Sequence, residues 1–138
     1  MFPEIVSQLN PDVIGLQEVS FLEYNQLDDL FSHLNKNDYS QYSALTQMNY
    51  GKANDIKDLT FNIDGNSICF RKSFENNSEY VNHQVLHLSP VRNAHCLSFL
   101  LQGFKVHFMN LHLHHVVEEE NIRQYQMKLA LKWIENIT

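Results

Sequence analysis

The chain has 138 residues, enough for one domain with one core and small for a sandwich. Its 43% hydrophobic and 19% charged residues are an ordinary globular balance and argue against disorder. A formal net charge of -6 argues against a protein that clamps long duplex nucleic acid with a basic face, yet it allows phosphate chemistry in which a bound cation supplies the positive charge.

Pro3 to Leu9 places Ile5, Val6 and Leu9 on one helical stripe, with proline in the first turn. Asn10-Pro11-Asp12 ends that helix, because proline disfavours a helical backbone at Asn10. Val13 to Leu16 reads as a short apolar strand ending in the triplet Gln17, Glu18 and Val19. Phe21 to Leu34 carries Leu27, Leu30, Phe31 and Leu34 at helical spacing, with Ser20 or Phe21 near its cap. Tyr39 to Leu45 reads as a strand. Gln47 to Asp64 is polar and asparagine-rich and reads as an irregular loop. Asp64-Gly65 reads as a turn leading into a strand from Asn66 to Arg71. Val81 to Leu88 alternates, with Val81, His83, Val85 and His87 on one face. Ala94 to Leu101 and Lys105 to Leu113 are apolar runs joined by Gln102-Gly103, a hairpin signal, and their weak alternation points to burial on both faces. Glu118 to Ile137 opens with three glutamates, favourable at a helix N-terminus, and sets Ile122, Gln126, Leu129, Trp133 and Ile137 on its inner stripe.

No internal repeat or Gly/Ser linker divides the chain, so residues 1–138 read as a single domain of the α/β (α+β) class whose sheet faces need helical cover. The two cysteines, Cys69 and Cys96, lie in apolar runs without a Cys-x-x-Cys spacing and read as buried free thiols. No stretch is long enough to span a bilayer. Met1 to Glu4 lacks the basic start of a signal peptide, so the expected location is intracellular, cytoplasmic or nuclear.

Polar residues gather at the ends of two apolar strands. Glu18 reads either as an exposed strand-to-helix residue or as a hard oxygen ligand for Mg²⁺ or Mn²⁺, because a carboxylate at an apolar strand mouth must be solvated, paired or coordinating. In Asn110-Leu111-His112-Leu113-His114-His115, strand alternation sets Asn110, His112 and His114 on one face. An amide and an imidazole there can hold and protonate a phosphate oxygen. The same residues also admit a zinc site from His112, His114 and Glu118, or a hydrogen-bonded core histidine beside two exposed ones.

Taken together, these runs carry a resemblance. Pro11-Asp12-Val13-Ile14-Gly15-Leu16-Gln17-Glu18-Val19 resembles, nearly letter for letter, the first signature of the endonuclease/exonuclease/phosphatase (DNase I-like) superfamily. Gly65 to Lys72 is similar to that family's second strand, and Val106 to Leu113 to its strand ending in Asn-Thr-His-Leu, with Leu111 in place of the small threonine. Arg123, Gln126, Leu129 and Trp133 match the helix that follows. The motifs occur in the family's order over most of the chain.

The resemblance implies a four-layer αββα sandwich of mixed or antiparallel sheets flanked by helices, with an active site at one rim. It implies a Mg²⁺-dependent phosphodiesterase or phosphoester hydrolase in which Glu18 binds the metal (Mg²⁺ or Mn²⁺), His112 contacts the scissile phosphate and Asn110 supports it. Gln17 would steady Glu18, and Arg123 and Gln126 would tie the last helix to the sheet. The expected partner is a phosphoester: a nucleic acid, a tyrosyl-DNA adduct, sphingomyelin or an inositol phosphate. The family's Gly-Asp-x-Asn and Ser-Asp-His motifs do not occur, nor does its opening strand before Phe2. The expectation is therefore an incomplete domain, truncated at both ends and inactive in this form. The alternative is a non-catalytic binding module derived from the same fold.

Overall fold

The computed structural model describes residues 2–20, 26–34, 38–45, 64–76 and 81–137. In chain order the elements are α1 (Phe2–Leu9), β1 (Val13–Ser20), α2 (Gln26–His33), β2 (Tyr39–Leu45), β3 (Asp64–Arg71), α3 (Lys72–Asn76), β4 (Val81–Ser89), β5 (Arg92–Leu101), β6 (Phe104–Leu111) and α4 (Glu120–Ile137). Two three-stranded antiparallel sheets, ordered β1-β3-β2 and β4-β5-β6, face one another. Helices α1 and α2 cover the outside of the first sheet, and α4 lies on the outside of the second. The expected αββα layering is present, with both sheets antiparallel.

Between the sheets, Ile68 and Phe70 of β3 meet Leu97 and Phe99 of β5, with Val13, Tyr42, Phe74, Val81, Val106 and Phe108 around them. Phe74 of α3, a helix absent from the sequence reading, stacks on Phe99 at 5.4 Å between ring centroids. The outer core holds Val6, Val19, Tyr39 and Cys69 with Leu27, Leu30, Phe31 and Leu34 of α2, all four of which the 3.6-residue spacing selects. Burying one such side chain contributes about 1.5–3 kcal/mol. Cys69 and Cys96 are free and buried, as expected.

Several expectations change. Of the stripe expected in α1, Val6 is buried while Ile5 and Leu9 are exposed, because this eight-residue helix meets α2 along one line. In α4 the fully buried positions are Gln126 and Ala130, while Ile122 is exposed and Leu129, Trp133 and Ile137 are half-buried. Ser20 does not cap α2 but closes β1, opposite Asp64; Phe21 and nearly all of the Gln47–Asp64 loop lie outside the described residues. Asp64 and Gly65 are not a turn: both pair within β3, where Gly65 faces Val19 on one side and Leu45 on the other. The hairpin at Gln102-Gly103 holds, with φ of 51° and 82°, two consecutive left-handed residues that suit the twist of paired strands.

Candidate active site

The start of β1 is set by its flanks. Asn10 ends α1 at φ 47°, returning its N–H to the Val6 carbonyl (3.0 Å), and Pro11 follows. Arg71, at the end of β3, donates to Asp12 (3.1 Å) and to the Asn10 carbonyl (3.0 Å), while Tyr39 donates to the Pro11 carbonyl (2.7 Å). These contacts fix where β1 enters the sheet.

Further along β1 the ladder slips. Leu16 pairs with Ser67 and Val19 with Gly65, so Gln17 and Glu18 together oppose the single residue Asn66. This is a β-bulge, and Glu18 adopts a left-handed backbone at φ 55°. The sequence reading ended the strand at this point; instead the strand continues through the extra residue. The bulge lets Leu16 and Val19 both face the outer core, although a regular strand would put them on opposite faces. The Glu18 side chain is left 70% exposed at the rim, with its carboxylate 3.4 Å from His112 Nε2.

Strand β6 brings the second motif to the same rim. The strands meet at Gly15, where a Cβ would lie 3.4 Å, in van der Waals contact, from the Asn110 side chain and from Phe108. Asn110 is buried, and its amide nitrogen donates to the carbonyls of Leu16 (2.8 Å) and Ser67 (3.1 Å). It therefore stitches β6 to β1 and β3 immediately before the bulge. Gln17 adds a second stitch by donating to the Leu111 carbonyl. Beyond the end of β6, His112 N–H donates to the Asn93 carbonyl (3.2 Å), which carries the strand direction past its formal end.

The shared face expected for Asn110, His112 and His114 holds for the first two, which both reach across to β1, and fails for His114. Asn110 points between the sheets, His112 lies beside Glu18, and His114 pairs with Glu119 in the segment leading to α4. The zinc grouping of His112, His114 and Glu118 is not formed, and among the described residues no three His, Cys, Asp or Glu groups come together to hold a metal. Gln126 accepts the His114 N–H (2.8 Å), and Arg123 donates to the carbonyls of Val116 and Val117. Both residues tie α4 to the chain that leaves β6. His115 accepts from Arg92 (2.8 Å).

Behind the rim lies a buried polar layer that sequence reasoning missed. Asn66, Asn93 and His95 are each no more than 2% exposed. Asn93 donates to the Ala44 carbonyl (3.1 Å) and accepts from Asn66 (2.7 Å), so the Asn66 amide is oriented by its neighbour, and its Oδ1 has no partner among the described residues. That oxygen belongs to the residue facing the bulge. His95 lies between His83 (3.0 Å) and Asn110 (3.1 Å), and burial, with His83 adding to it, pushes its imidazole down to about 3. Burial lowers His83 as well. The only cue in the sequence was an asparagine or histidine at positions whose neighbours are apolar, as in Asn93-Ala94-His95-Cys96.

Among the described residues, the donor chemistry at this rim is one exposed carboxylate, Glu18. That fits Mg²⁺ or Mn²⁺ held by a single protein oxygen, because such ions keep several waters and commonly use one or two carboxylates with the phosphates of a substrate.

Neither a protein-family model nor a curated protein sequence matches the chain. Solved structures do. TDP2 from D. rerio, complexed with a single-strand DNA product, shares 17% identity at a TM-score of 0.67, covering 97% of this chain and 46% of that one. TDP2 from Caenorhabditis elegans shares 24% at 0.69, covering 99% and 35%. An endonuclease/exonuclease/phosphatase family protein from Leptotrichia buccalis shares 14% at 0.58, covering 86% and 48%. The chain thus spans between a third and a half of the structures it resembles. Its two facing antiparallel sheets and flanking helices are those of the endonuclease/exonuclease/phosphatase (DNase I-like) fold.

Proposed function

We propose that the chain carries part of the active site of a Mg²⁺- or Mn²⁺-dependent phosphoester hydrolase, with Glu18 holding the cation, His112 contacting the scissile phosphate and Asn110 supporting that strand. One observation carries the reading: the fold brings the Glu18 carboxylate and the His112 imidazole, from opposite sheets, to within 3.4 Å at one rim. When bound, the cation would polarise the phosphoryl oxygens and offset charge on the leaving oxygen. His112 presents Nε2 to the rim, where an N–H can donate to a phosphate oxygen. Gln17 and Asn110 hold the two strand ends against each other, which keeps carboxylate and imidazole at a fixed separation.

The substrate class we favour is a phosphodiester of single-stranded nucleic acid. The similar D. rerio TDP2 is complexed with a single-strand DNA product, and the acidic chain is poorly suited to gripping long duplex by charge. Taken alone, these 138 residues should turn over weakly or not at all, because the described residues supply one carboxylate at the rim and no grouping of three acidic or metal-binding side chains. That same observation favours a second reading, a phosphate-binding module without catalysis.

Titration with Mn²⁺ followed by electron paramagnetic resonance, beside hydrolysis of bis(p-nitrophenyl) phosphate, tests both. Millimolar-range ion binding lost in Glu18→Ala supports the site. Metal-dependent turnover that is also lost in Glu18→Ala would show that the chain alone is catalytic. Ion binding without turnover favours the module, and no Glu18-dependent ion binding sinks the assignment.

A further inference from the structure

We propose that His95, braced by His83, is a positioning residue that fixes the Asn110 amide and, through it, the bulge bearing Glu18. The inference rests on the functional reading above only where it concerns ion binding. Its structural part stands on geometry.

Asn110 Nδ2 has three acceptors in reach: the Leu16 carbonyl at 2.8 Å, the Ser67 carbonyl at 3.1 Å and His95 Nε2 at 3.1 Å. Reversing the amide would set Oδ1 against two carbonyl oxygens, so the NH₂ group must occupy this position. A proton on His95 Nε2 would then point at that NH₂ group. Nε2 must therefore offer its lone pair, and the single proton of the neutral ring sits on Nδ1. From there it reaches His83 Nε2 at 3.0 Å, which must accept, leaving the His83 proton on its own Nδ1.

Burial keeps both rings neutral near pH 7. The His83 ring is clamped in turn by Tyr42, stacked at 4.9 Å, and Tyr42 stacks on Phe70 at 5.7 Å. One line of contacts thus runs from the edge strand β4 through β5 and β6 to β1. It ends at Leu16, the last paired residue before Gln17 and Glu18. Two residues beyond Asn110 on the other strand is His112. The His95 lone pair completes, with the two carbonyls, the acceptor set that holds the amide, and the amide holds β6 against β1 at the rim.

The test is nitrogen-15 NMR on the full chain. Long-range proton–nitrogen spectra are expected to show both His83 and His95 as Nδ1–H tautomers, and the Asn110 side-chain NH₂ is expected to be slow to exchange. In His95→Gln, whose amide oxygen can still accept, that protection should persist and Mn²⁺ affinity should stay within about threefold. In His95→Leu the NH₂ should lose protection by tenfold or more and Mn²⁺ affinity should fall about tenfold. An Nε2–H tautomer at His95, or an Asn110 NH₂ unchanged in His95→Leu, would overturn the proposal. If the leucine variant does not fold, the wild-type tautomer and the glutamine variant still decide. If wild type binds no Mn²⁺, the functional reading fails while the tautomer and exchange data still judge His95.

Discussion

Replacing Gly65 by alanine would set a methyl carbon 2.3 Å from the Ala44 carbonyl oxygen and 3.0 Å from both Ala44 C and Leu45 Cα. Carbon and oxygen settle at about 3.3 Å or more, so the end of β2 would have to move by about 1 Å. These are backbone atoms, and no flexible side chain can yield instead. A hydrogen bond of about 2.9 Å stretched by that amount is no longer one. The Leu45–Gly65 pairing is therefore lost. The same displacement carries away the Ala44 oxygen that accepts from Asn93 (3.1 Å), and Asn93 orients Asn66. Losing a ladder bond and unseating one buried amide, at about 1–2 kcal/mol each, gives a destabilisation of about 3 kcal/mol. Urea unfolding followed by circular dichroism would register this as a midpoint lower by about 2 M, for a slope of about 1.5 kcal/mol per molar. A midpoint within about 0.3 M of wild type would refute the argument. It would mean that β2 does not lie against β3 as described.

Four further outcomes are expected. Glu18→Gly should raise stability by about 0.5–1 kcal/mol, since glycine accepts φ 55° without strain, yet abolish Mn²⁺ binding; equal or lower stability in thermal unfolding would contradict the bulge geometry. Stability should fall with acid between pH 6.5 and pH 4. The folded His95 has its affinity for protons pushed down to about 3 while the unfolded ring titrates near 6.5, so below 6.5 the unfolded state binds more protons. The slope, about 1 kcal/mol per pH unit, should flatten in His95→Leu when urea midpoints are compared across pH. Cys69, pushed up to about 12 by burial, and Cys96, also raised, should resist a thiol reagent at pH 8 until urea is added; fast labelling of the folded chain would show an opened core. Arg71→Lys should cost about 1 kcal/mol, because the ammonium cannot span Asp12 and the Asn10 carbonyl together, and a variant as stable as wild type in urea would deny that tie a role.

Much of the layering was legible because it follows from periodicity. Leu27, Leu30, Phe31 and Leu34 state a helix face in spacing alone, and Gln102-Gly103 states a hairpin. What stayed hidden depends on pairing across the chain. Gly65 read as a turn because glycine after aspartate usually is one. Its reason for being small is the Ala44 backbone, distant in sequence. The bulge at Gln17 and Glu18 follows from β3 offering one residue where β1 has two, which β1 alone cannot state. The polar layer of Asn66, Asn93 and His95 behind Asn110 was hidden for a similar reason. Each residue is unremarkable by itself, and only another strand supplies its partner. Glu18 and His112 were found through the resemblance of their flanking residues, whereas the separation of His114 from them required the course of the chain after β6.

The sandwich interior is divided along its length: aromatic and aliphatic side chains fill one part, and asparagine, serine and histidine another. This division acts as a key during assembly. Greasy faces alone tolerate sliding, since one leucine meets a neighbouring phenylalanine almost as well as another. Amides do not, because Asn66 finds Asn93 and Asn110 finds Leu16 only in a single alignment of the two sheets. A slip by one pair of residues would strip Asn66, Asn93 and Asn110 of their partners in the facing sheet, at about 1–3 kcal/mol apiece. The residues that crowd behind the rim thereby select which of the many possible stackings the chain accepts.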